Sequence, residues 1–380
     1  AVSAGYIGSK GTRLRSDFQR QNALPLEALR LGFPLLNKNL NDVTAAERAY
    51  AQSVGFTLPA NSNAVFPGFN GSVAQSLRPF PQYANFRNVL ESEGQSWYNA
   101  LQLKFGRRFT QGMQFDVSYT FSKLETTGAE DLYGGSPANQ PQSPYERPRF
   151  VSPNSTPHVL VFNYLLELPF GKGRRFLNQG GIVDKLVGGW QINGIHRYQT
   201  GFPLVITSGR NTGFLNLVGF AGTRGAQLRV NRTGQPILAG NDPNGLSFRV
   251  LNGLAFSQPP NFEGPPTTDV TNPLYKEYYA DPSRFFGTGP VVTDERIFPF
   301  LSENFSILKK TPIRENVTLE LRAEFFNLFN RHRYFGPDTN YQNFDVNNPN
   351  STGGFGISGI IGDTNIYGPR TVQVGARLIF

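Results

Sequence analysis

The chain has 380 residues and a biased composition, with 33 Phe, 15 Tyr, 41 Gly, 28 Pro, one Met and no Cys. Aromatic residues favour strands, whereas glycine and proline interrupt regular structure, so this composition argues against a helical bundle. The absence of cysteine excludes disulfides, Cys-ligated zinc and a thiol nucleophile. The hydrophobic fraction of 38% is low for a soluble protein, but it suits a barrel that needs apolar side chains only toward lipid.

The net charge is +9, from 36 Lys and Arg against 27 Asp and Glu. This excess fits either a surface for anionic partners, such as lipopolysaccharide or nucleic acid, or scattered solvated charge. Because the densest basic cluster is only Gly171 to Arg175, scattered charge is the simpler interpretation. No apolar run approaches the roughly 18–20 residues of a membrane-spanning helix. Ala1 begins neither a signal peptide nor an initiator methionine sequence, so we expect a fragment of a longer protein.

The clearest pattern in the first half is strict alternation of apolar and polar residues. From Trp97 to Phe109 the apolar side chains fall on one face, and the alternation resumes at once from Met113 to Ser122. The two runs flank Thr110-Gln111-Gly112, which is a short turn containing glycine. We therefore predict a β-hairpin.

Further strands are predicted along the rest of the chain by the same alternation. They are 156–168, 189–198 with an extension past a kink toward Thr207, the hairpin 303–310 and 317–326, and a terminal strand from Val372 to Phe380. One stretch, 43–53, is typical of a helix, with Thr44 as a cap and Glu47 three residues later.

The connections alternate between long segments and shorter ones. The long ones are 9–94, 124–155, 208–302 and 328–370, and the shorter ones are 110–112, 169–188 and 311–316. This layout is typical of an outer-membrane barrel with long extracellular loops and short periplasmic turns. We therefore predict an all-β fold: an antiparallel transmembrane β-barrel segment of about eight strands. A soluble sandwich, with its apolar face packed inward, would show similar alternation and is the competing architecture.

Several strings together resemble the Oar-like branch of TonB-dependent outer-membrane receptors. They are YIGSKGTRL (6–14), LRPFPQY (77–83), WYNALQLKFGRRF (97–109), VSYTFSK (117–123), LPFGKGRRF (168–176), LVGGWQINGI (186–195), RAEFFNLFNR (322–331) and PRTVQVGARLIF (369–380). They occur in order over nearly the whole chain. The stretch Val151 to His158 departs from relatives, which usually carry an Asp and a His-Arg pair there.

The resemblance implies that residues 1–380 are the C-terminal portion of a barrel of about 22 strands. Nothing in the sequence resembles the family's plug, TonB box or N-terminal regulatory-like domain. The implied partners are outer-membrane lipid and lipopolysaccharide, the barrel-assembly machinery, an extracellular ligand and, through the missing N-terminal part, the TonB complex. No nucleic acid and no cofactor are expected.

The charged and polar residues between the apolar positions are expected to face the barrel lumen. The candidates are Gln102, Lys104, Arg108, Asp116, Glu320, Arg322, Glu324 and Arg377. Charges of both signs on neighbouring strands can pair with each other, so a structural role inside a wet lumen competes with a role in a substrate path. On the lipid side each would cost about 2–4 kcal/mol near the bilayer midplane.

The last strand carries a predicted assembly signal for insertion into the outer membrane. Barrels of the resembled family end on an aromatic residue after alternating apolar positions. The candidates here are Val372, Val374, Gly375, Leu378 and Phe380. An ordinary last strand is the alternative, but an exposed edge that ends in a free Phe is a liability unless it is paired.

Aromatic residues near the predicted strand ends could form interfacial girdles or, less simply, stacking platforms for sugars. They are Trp97, Tyr98, Tyr119, Phe121, Trp190 and Phe202.

Enzyme motifs are absent from the sequence: there is no P-loop, no G-x-S-x-G and no H-E-x-x-H. The three histidines, His158, His196 and His332, lack metal-ligand spacing. Asp338 and Asp345 lie in an Asn-rich stretch without the spacing of an EF-hand. We therefore expect neither an enzyme nor a dedicated metal site, and a calcium site in a surface loop is the alternative that stays open.

Two functions and one alternative architecture remain open at this point. The first is energy-coupled uptake of a large or scarce nutrient, such as an iron chelate, an oligosaccharide or a peptide, captured by the extracellular loops and above all by 208–302. The second is a structural or adhesive surface protein without transport. The alternative architecture is a free-standing eight-stranded barrel. A segment of a larger barrel, taken alone, would have two unpaired edges, so we expect an open sheet or a small closed barrel.

Overall fold

The fold is known from a computed structural model, which describes residues 1–16, 22–83, 91–127, 145–146, 148–209, 212–218, 228–239, 247–290, 292–332, 334–349, 353–359 and 369–380. Eight strands follow one another in a single antiparallel sheet, each paired with its neighbours in chain order. They are β1 Val2–Ser16, β2 Glu91–Thr110, β3 Met113–Thr126, β4 His158–Glu167, β5 Trp190–Gln199, β6 Phe300–Arg314, β7 Val317–Phe326 and β8 Thr371–Ile379. A short strand, Phe150–Val151, extends the sheet beside the end of β3. The predicted strands are thus confirmed.

The strand register separates the sheet into two chemically different faces. One row runs Leu103, Tyr119, Leu160, Tyr198 and Leu301 across five strands, and we call its side of the sheet the apolar face. The adjacent row runs Lys104, Ser118, Val161, Arg197 and Ser302, and its side is the polar face. Because successive side chains point to opposite sides of a strand, the alternation in the sequence becomes this difference between faces.

The predicted hairpin between β2 and β3 is confirmed, with a tighter connection than the sequence indicated. Only Gln111 and Gly112 lie between the strands, and both have positive φ, 53° and 76°. Two positive φ values in a two-residue loop match the right-handed twist of the flanking strands. Thr110, which was expected in the turn, is instead the last residue of β2, and a register shift lies between Arg107 and Thr110.

Two predicted boundaries were wrong. The first long loop was expected from residue 9, but β1 continues to Ser16 and pairs with β2 as far as Glu91. This extension lacks apolar alternation. Strand β5 does not continue to Thr207: it ends at Gln199, where Thr200 donates its backbone N–H to the His158 carbonyl. Beyond it Pro203 has no N–H for a ladder, and Gly201 lies so close to the Ile297 carbonyl that a Cβ would be 1.9 Å from that oxygen.

Helices are short and lie in the connections. They are α1 Phe33–Leu36, α2 Ala45–Ser53, α3 Val73–Ser76, α4 Ile182–Val187, α5 Thr212–Leu217 and α6 Pro273–Tyr278. The predicted helix is α2, and its capping box is confirmed: Thr44 accepts from the Glu47 N–H, and Glu47 accepts from the Thr44 N–H at 2.7 Å. Within the described ranges, no helix is long and apolar enough to cross a membrane.

The long connections, all at one end of the sheet, fold together around two hydrophobic cores. The larger core joins residues from 22–83 with residues from 212–286, and it buries Leu29, Leu36 and Phe285 completely. The second joins 204–256 with Tyr341 and Phe355. Two small sheets support the second region, one of Asn231–Arg232 with Phe256–Ser257 and one of Ser247–Arg249 with Ile357–Gly359. We call this region the loop body. Parts of the predicted loops 124–155 and 208–302 lie outside the described residues.

The sheet is open. Strand β1 pairs with β2 and β8 pairs with β7, and among the described residues β1 and β8 do not pair with each other. Of the two expected forms, an open sheet or a small closed barrel, the structure shows the open sheet. In hydrocarbon such edges would leave backbone groups without partners, so a membrane-embedded form needs both edges to be paired.

Candidate functional site: the polar face and the loop body

A network of alternating charges crosses the last three strands on the polar face. Arg322 lies between Glu320 and Glu324, with nitrogen–oxygen distances of 3.4 Å to each, and Lys310 lies 3.9 Å from Glu320. Arg377 is directly opposite Glu320 in the register of β7 and β8. Glu320, Arg322, Glu324 and Arg377 line a shallow depression of about 260 Å³ together with Gln373 and Gly375. The structure therefore brings together four of the residues predicted to face the lumen.

The other predicted residues lie on strands β2 and β3. Gln102 and Lys104 belong to the polar face, and so does Asp116, which is opposite Gly106. The absence of a side chain at Gly106 leaves room for the Asp116 carboxylate, which a Cβ would approach to 2.6 Å. Arg108 falls in the register shift between Arg107 and Thr110 and is outside the regular ladder. The two groups are separated by the intervening strands and form no single pocket.

The chemistry of this face is that of a charged, wet wall. Each carboxylate of the β7 network has a guanidinium or ammonium partner, so the charges satisfy one another across neighbouring strands. Across the described parts of the chain, no group of three or more His, Asp or Glu side chains is arranged as a metal site. Asp338 instead shapes its own loop, since it accepts from the Asn340 N–H at 2.9 Å and the Asn343 amide at 2.6 Å.

The apolar face contains a buried carboxylate, which sequence reasoning missed. Glu303 is completely buried, and both its carboxylate oxygens accept from Arg331 Nε, at 2.8 and 2.9 Å. Its cross-strand neighbour is His196, which stacks between Tyr164 and Tyr198 at ring-centroid distances of 5.6 and 6.5 Å. The signal was available: Glu303 and His196 both occupy apolar-phase positions of their strands, where a polar residue is out of place.

The aromatic residues predicted as girdles have mixed positions. Trp97 and Trp190 are on the apolar face near opposite ends of the wall, and each carries a cation over its ring, Arg149 at 4.3 Å and Lys309 at 4.9 Å. Tyr119 and Phe121 also lie on the apolar face. Tyr98 was expected with them but falls on the polar face, because it is one residue out of phase with Trp97.

The loop body is held together by buried hydroxyl groups as well as by apolar contacts. Tyr275 donates to the Leu31 carbonyl at 2.7 Å, and Tyr279 donates to the Phe262 carbonyl at 2.9 Å. Burial raises the pKa of both phenols far above the usual range, so both stay neutral donors. Arg78 reaches across to the Leu217 carbonyl at 2.8 Å. The region predicted to capture ligand, 208–302, is therefore fixed against the first long loop.

The terminal strand is exposed along its full length. Val372, Val374 and Leu378 lie on the apolar face with Phe380 in the same phase, whereas Gly375 lies on the polar face. Val374 is 77% exposed and Phe380 91% exposed. A role for these residues in assembly stays a prediction.

A family model described as an outer membrane beta barrel domain matches residues 1–373. This match covers nearly the whole chain, so the protein belongs to the outer membrane beta barrel domain family and is located in the outer membrane of Gram-negative bacteria. No curated protein matches it significantly.

Proposed function

We propose that this chain is the C-terminal barrel portion of a TonB-dependent, Oar-like receptor that imports a large or scarce nutrient. The nutrient class is an iron chelate, an oligosaccharide or a peptide. In this proposal the polar face lines the lumen, and the loop body captures the nutrient outside the cell. The chain is a transporter component rather than an enzyme.

The observation that carries the proposal is the loop body itself. A barrel that serves only as a wall can close its strands with short turns. Here the long connections instead share a core of more than 20 buried residues, ordered by buried tyrosine hydroxyls. Loops fixed on a rigid scaffold are typical of recognition surfaces. The charged polar face supports the same proposal, because a wet lumen large enough for a solute tolerates paired charges.

The proposed partners follow from this role. Lipid and lipopolysaccharide contact the apolar face, the assembly machinery recognises β8, and the TonB complex acts through a plug and TonB box encoded with this segment.

The test is uptake in cells that carry or lack the gene. Radiolabelled iron chelates, oligosaccharides and peptides are supplied to wild-type, gene-deleted and TonB-deficient strains. The proposal predicts one class whose uptake is lost in both mutant strains and restored by the gene. It fails if the gene deletion changes the uptake of no class.

A structural or adhesive surface protein is the second candidate, favoured by the same exposed loop body. It predicts that deleting the gene changes cell attachment or envelope integrity while TonB-dependent uptake is unaffected. The same three strains distinguish the two functions.

A further inference from the structure

The connection between β4 and β5, residues 169–188, carries an exposed apolar surface that nothing in the transport proposal uses. Ile182 is 78% exposed and Leu186 66% exposed, both on α4. Phe170, Phe176 and Leu177 of the same connection are also exposed. So much exposed apolar surface on so short a segment is typical of a binding surface.

The position of α4 is fixed by side chains of the apolar face. The Leu186 carbonyl, in the last turn of the helix, accepts from Trp190 Nε1 at 3.0 Å and from Lys309 Nζ at 3.1 Å. Lys309 also donates to the Gly188 carbonyl at 2.8 Å. Trp190 and Lys309 are cross-strand neighbours on the apolar face. The helix therefore lies on the lipid side of the wall, at the end opposite the loop body.

Close backbone packing holds the segment in this position. The Lys172 N–H donates to the Asp184 carboxylate at 2.6 Å. Gly171 and Gly188 approach so closely that a Cβ on Gly171 would lie 2.7 Å from the Gly188 Cα. Gly189, at φ 70°, lies against the Lys310 carbonyl, where a Cβ would be 2.1 Å from the oxygen. Gly171, Gly188 and Gly189 thus build a defined surface rather than a loose turn.

The charge of the segment is strongly positive. Between residues 169 and 188 there are four cations, Lys172, Arg174, Arg175 and Lys185, and one carboxylate, Asp184. Arg174 pairs with Glu167 at 2.6 Å, which leaves three cations beside the apolar side chains. Apolar residues that insert at a bilayer interface, flanked by Lys and Arg, are the features of an interfacial helix that binds anionic lipid.

We propose that residues 169–188 form an interfacial anchor that inserts Ile182 and Leu186 into the periplasmic leaflet and binds anionic phospholipid headgroups through Lys172, Arg175 and Lys185. The anchor continues the lipid-facing wall outward at its periplasmic rim. The proposed anchor requires that the short turns lie on the periplasmic side of the membrane, and it is independent of what the barrel transports.

The first experiment measures the insertion of α4. Because residues 1–380 contain no cysteine, Ile182→Cys gives a single site within this chain for an environment-sensitive fluorophore. The matched control is Glu315→Cys, in the short turn between β6 and β7 at the same end of the wall. In phosphatidylcholine vesicles containing phosphatidylglycerol, we expect strong quenching by lipid-borne quencher at position 182 and weak quenching at position 315. Equal quenching of both labels by an aqueous quencher overturns the proposal.

The second experiment measures the headgroup preference. Replacing a third of the phosphatidylcholine with phosphatidylglycerol should raise lipid quenching at position 182 at least twofold. The K172Q/R175Q/K185Q variant should lose this increase while keeping its folded sheet, as monitored by circular dichroism. An increase that survives in the variant, or no increase in the parent, contradicts the binding of anionic lipid. Shielding of position 182 only after addition of a periplasmic extract would assign the surface to a protein partner and also overturn the proposal.

Discussion

Glu303 is a charged residue on a strand face that is otherwise mainly apolar. It occupies an apolar-phase position in β6, yet it is fully buried because Arg331 folds over it and the Leu328 N–H donates to its backbone carbonyl. A buried carboxylate without a partner is strongly unfavourable. The ion pair therefore fixes the chain just after β7 onto the apolar face.

We predict that Arg331→Met lowers the free energy of unfolding by about 3 kcal/mol, toward the low end of the range for breaking a buried pair. The low end applies because the Arg331 side chain is 39% exposed. Urea unfolding in detergent micelles, followed by tryptophan fluorescence, measures the loss.

The control for this prediction is the double variant Glu303→Gln with Arg331→Met, which removes the buried charge as well. It should be more stable than Arg331→Met alone. If the double variant is less stable than the single one, the buried charge is not the cause of the loss.

At the scale of elements, α2 is the clearest example of local sequence determining local structure. Thr44 and Glu47 cap each other, and Lys38 holds the Glu47 carboxylate at 3.0 Å. Burial opposes ionisation of Glu47, but hydrogen bonds from Thr44 and Lys38 outweigh it and the pKa of Glu47 is lowered from 4.5. The element was therefore predictable without knowledge of its tertiary contacts.

Two consequences for α2 can be measured. Thr44→Ala should destabilise the loop body by about 1 kcal/mol.

The pKa of Glu47 is lowered in the folded state. The stabilisation that ionised Glu47 contributes is therefore present above about pH 4.5 and is lost as the pH falls through the folded-state pKa. Glu47→Gln should flatten this acid dependence of urea unfolding; an unchanged pH profile would show that the ionised form of Glu47 contributes nothing to stability.

The terminal strand gives a further prediction about a single element. Phe380→Ala should lower the amount of protein in the outer membrane several-fold, because the assembly machinery is expected to recognise the exposed apolar phase of β8. Ile379→Ala, on the opposite face of the same strand, is the matched control and should have little effect. Immunoblots of outer-membrane fractions measure both; equal levels for the two variants contradict an assembly signal.

Across the whole molecule, the strands of the eight-stranded sheet were far more predictable from the sequence than the structure of the loop body. The strands follow from period-two alternation because each has one face toward lipid and one toward a polar interior. The loop body has no such repeating environment. Its leucines, such as Leu24, Leu31 and Leu40, have no single period, and their partners near Tyr275 are more than 200 residues away. The density of leucine between residues 24 and 40 was the one available signal.

Some residues of the candidate site could also be predicted from the sequence, and others could not. The residues on the polar face were predictable because register carries alternation across the sheet, as for Lys104 and Glu320. Arg108 and Tyr98 departed from expectation where a bulge or a one-residue change of phase intervened. The pairing of Glu303 with Arg331 depends on a loop geometry that no local pattern contains.

A cysteine scan along β2 tests directly whether the polar face lines the lumen, since residues 1–380 contain no cysteine. Single cysteines at Leu101, Gln102, Leu103, Lys104 and Phe105 are treated in intact cells with a small, charged thiol reagent. If the polar face lines a water-filled lumen, we expect reaction at 102 and 104 and protection at 101, 103 and 105 by lipid. Uniform reactivity, or the opposite alternation, would contradict the assignment of the polar face to the lumen.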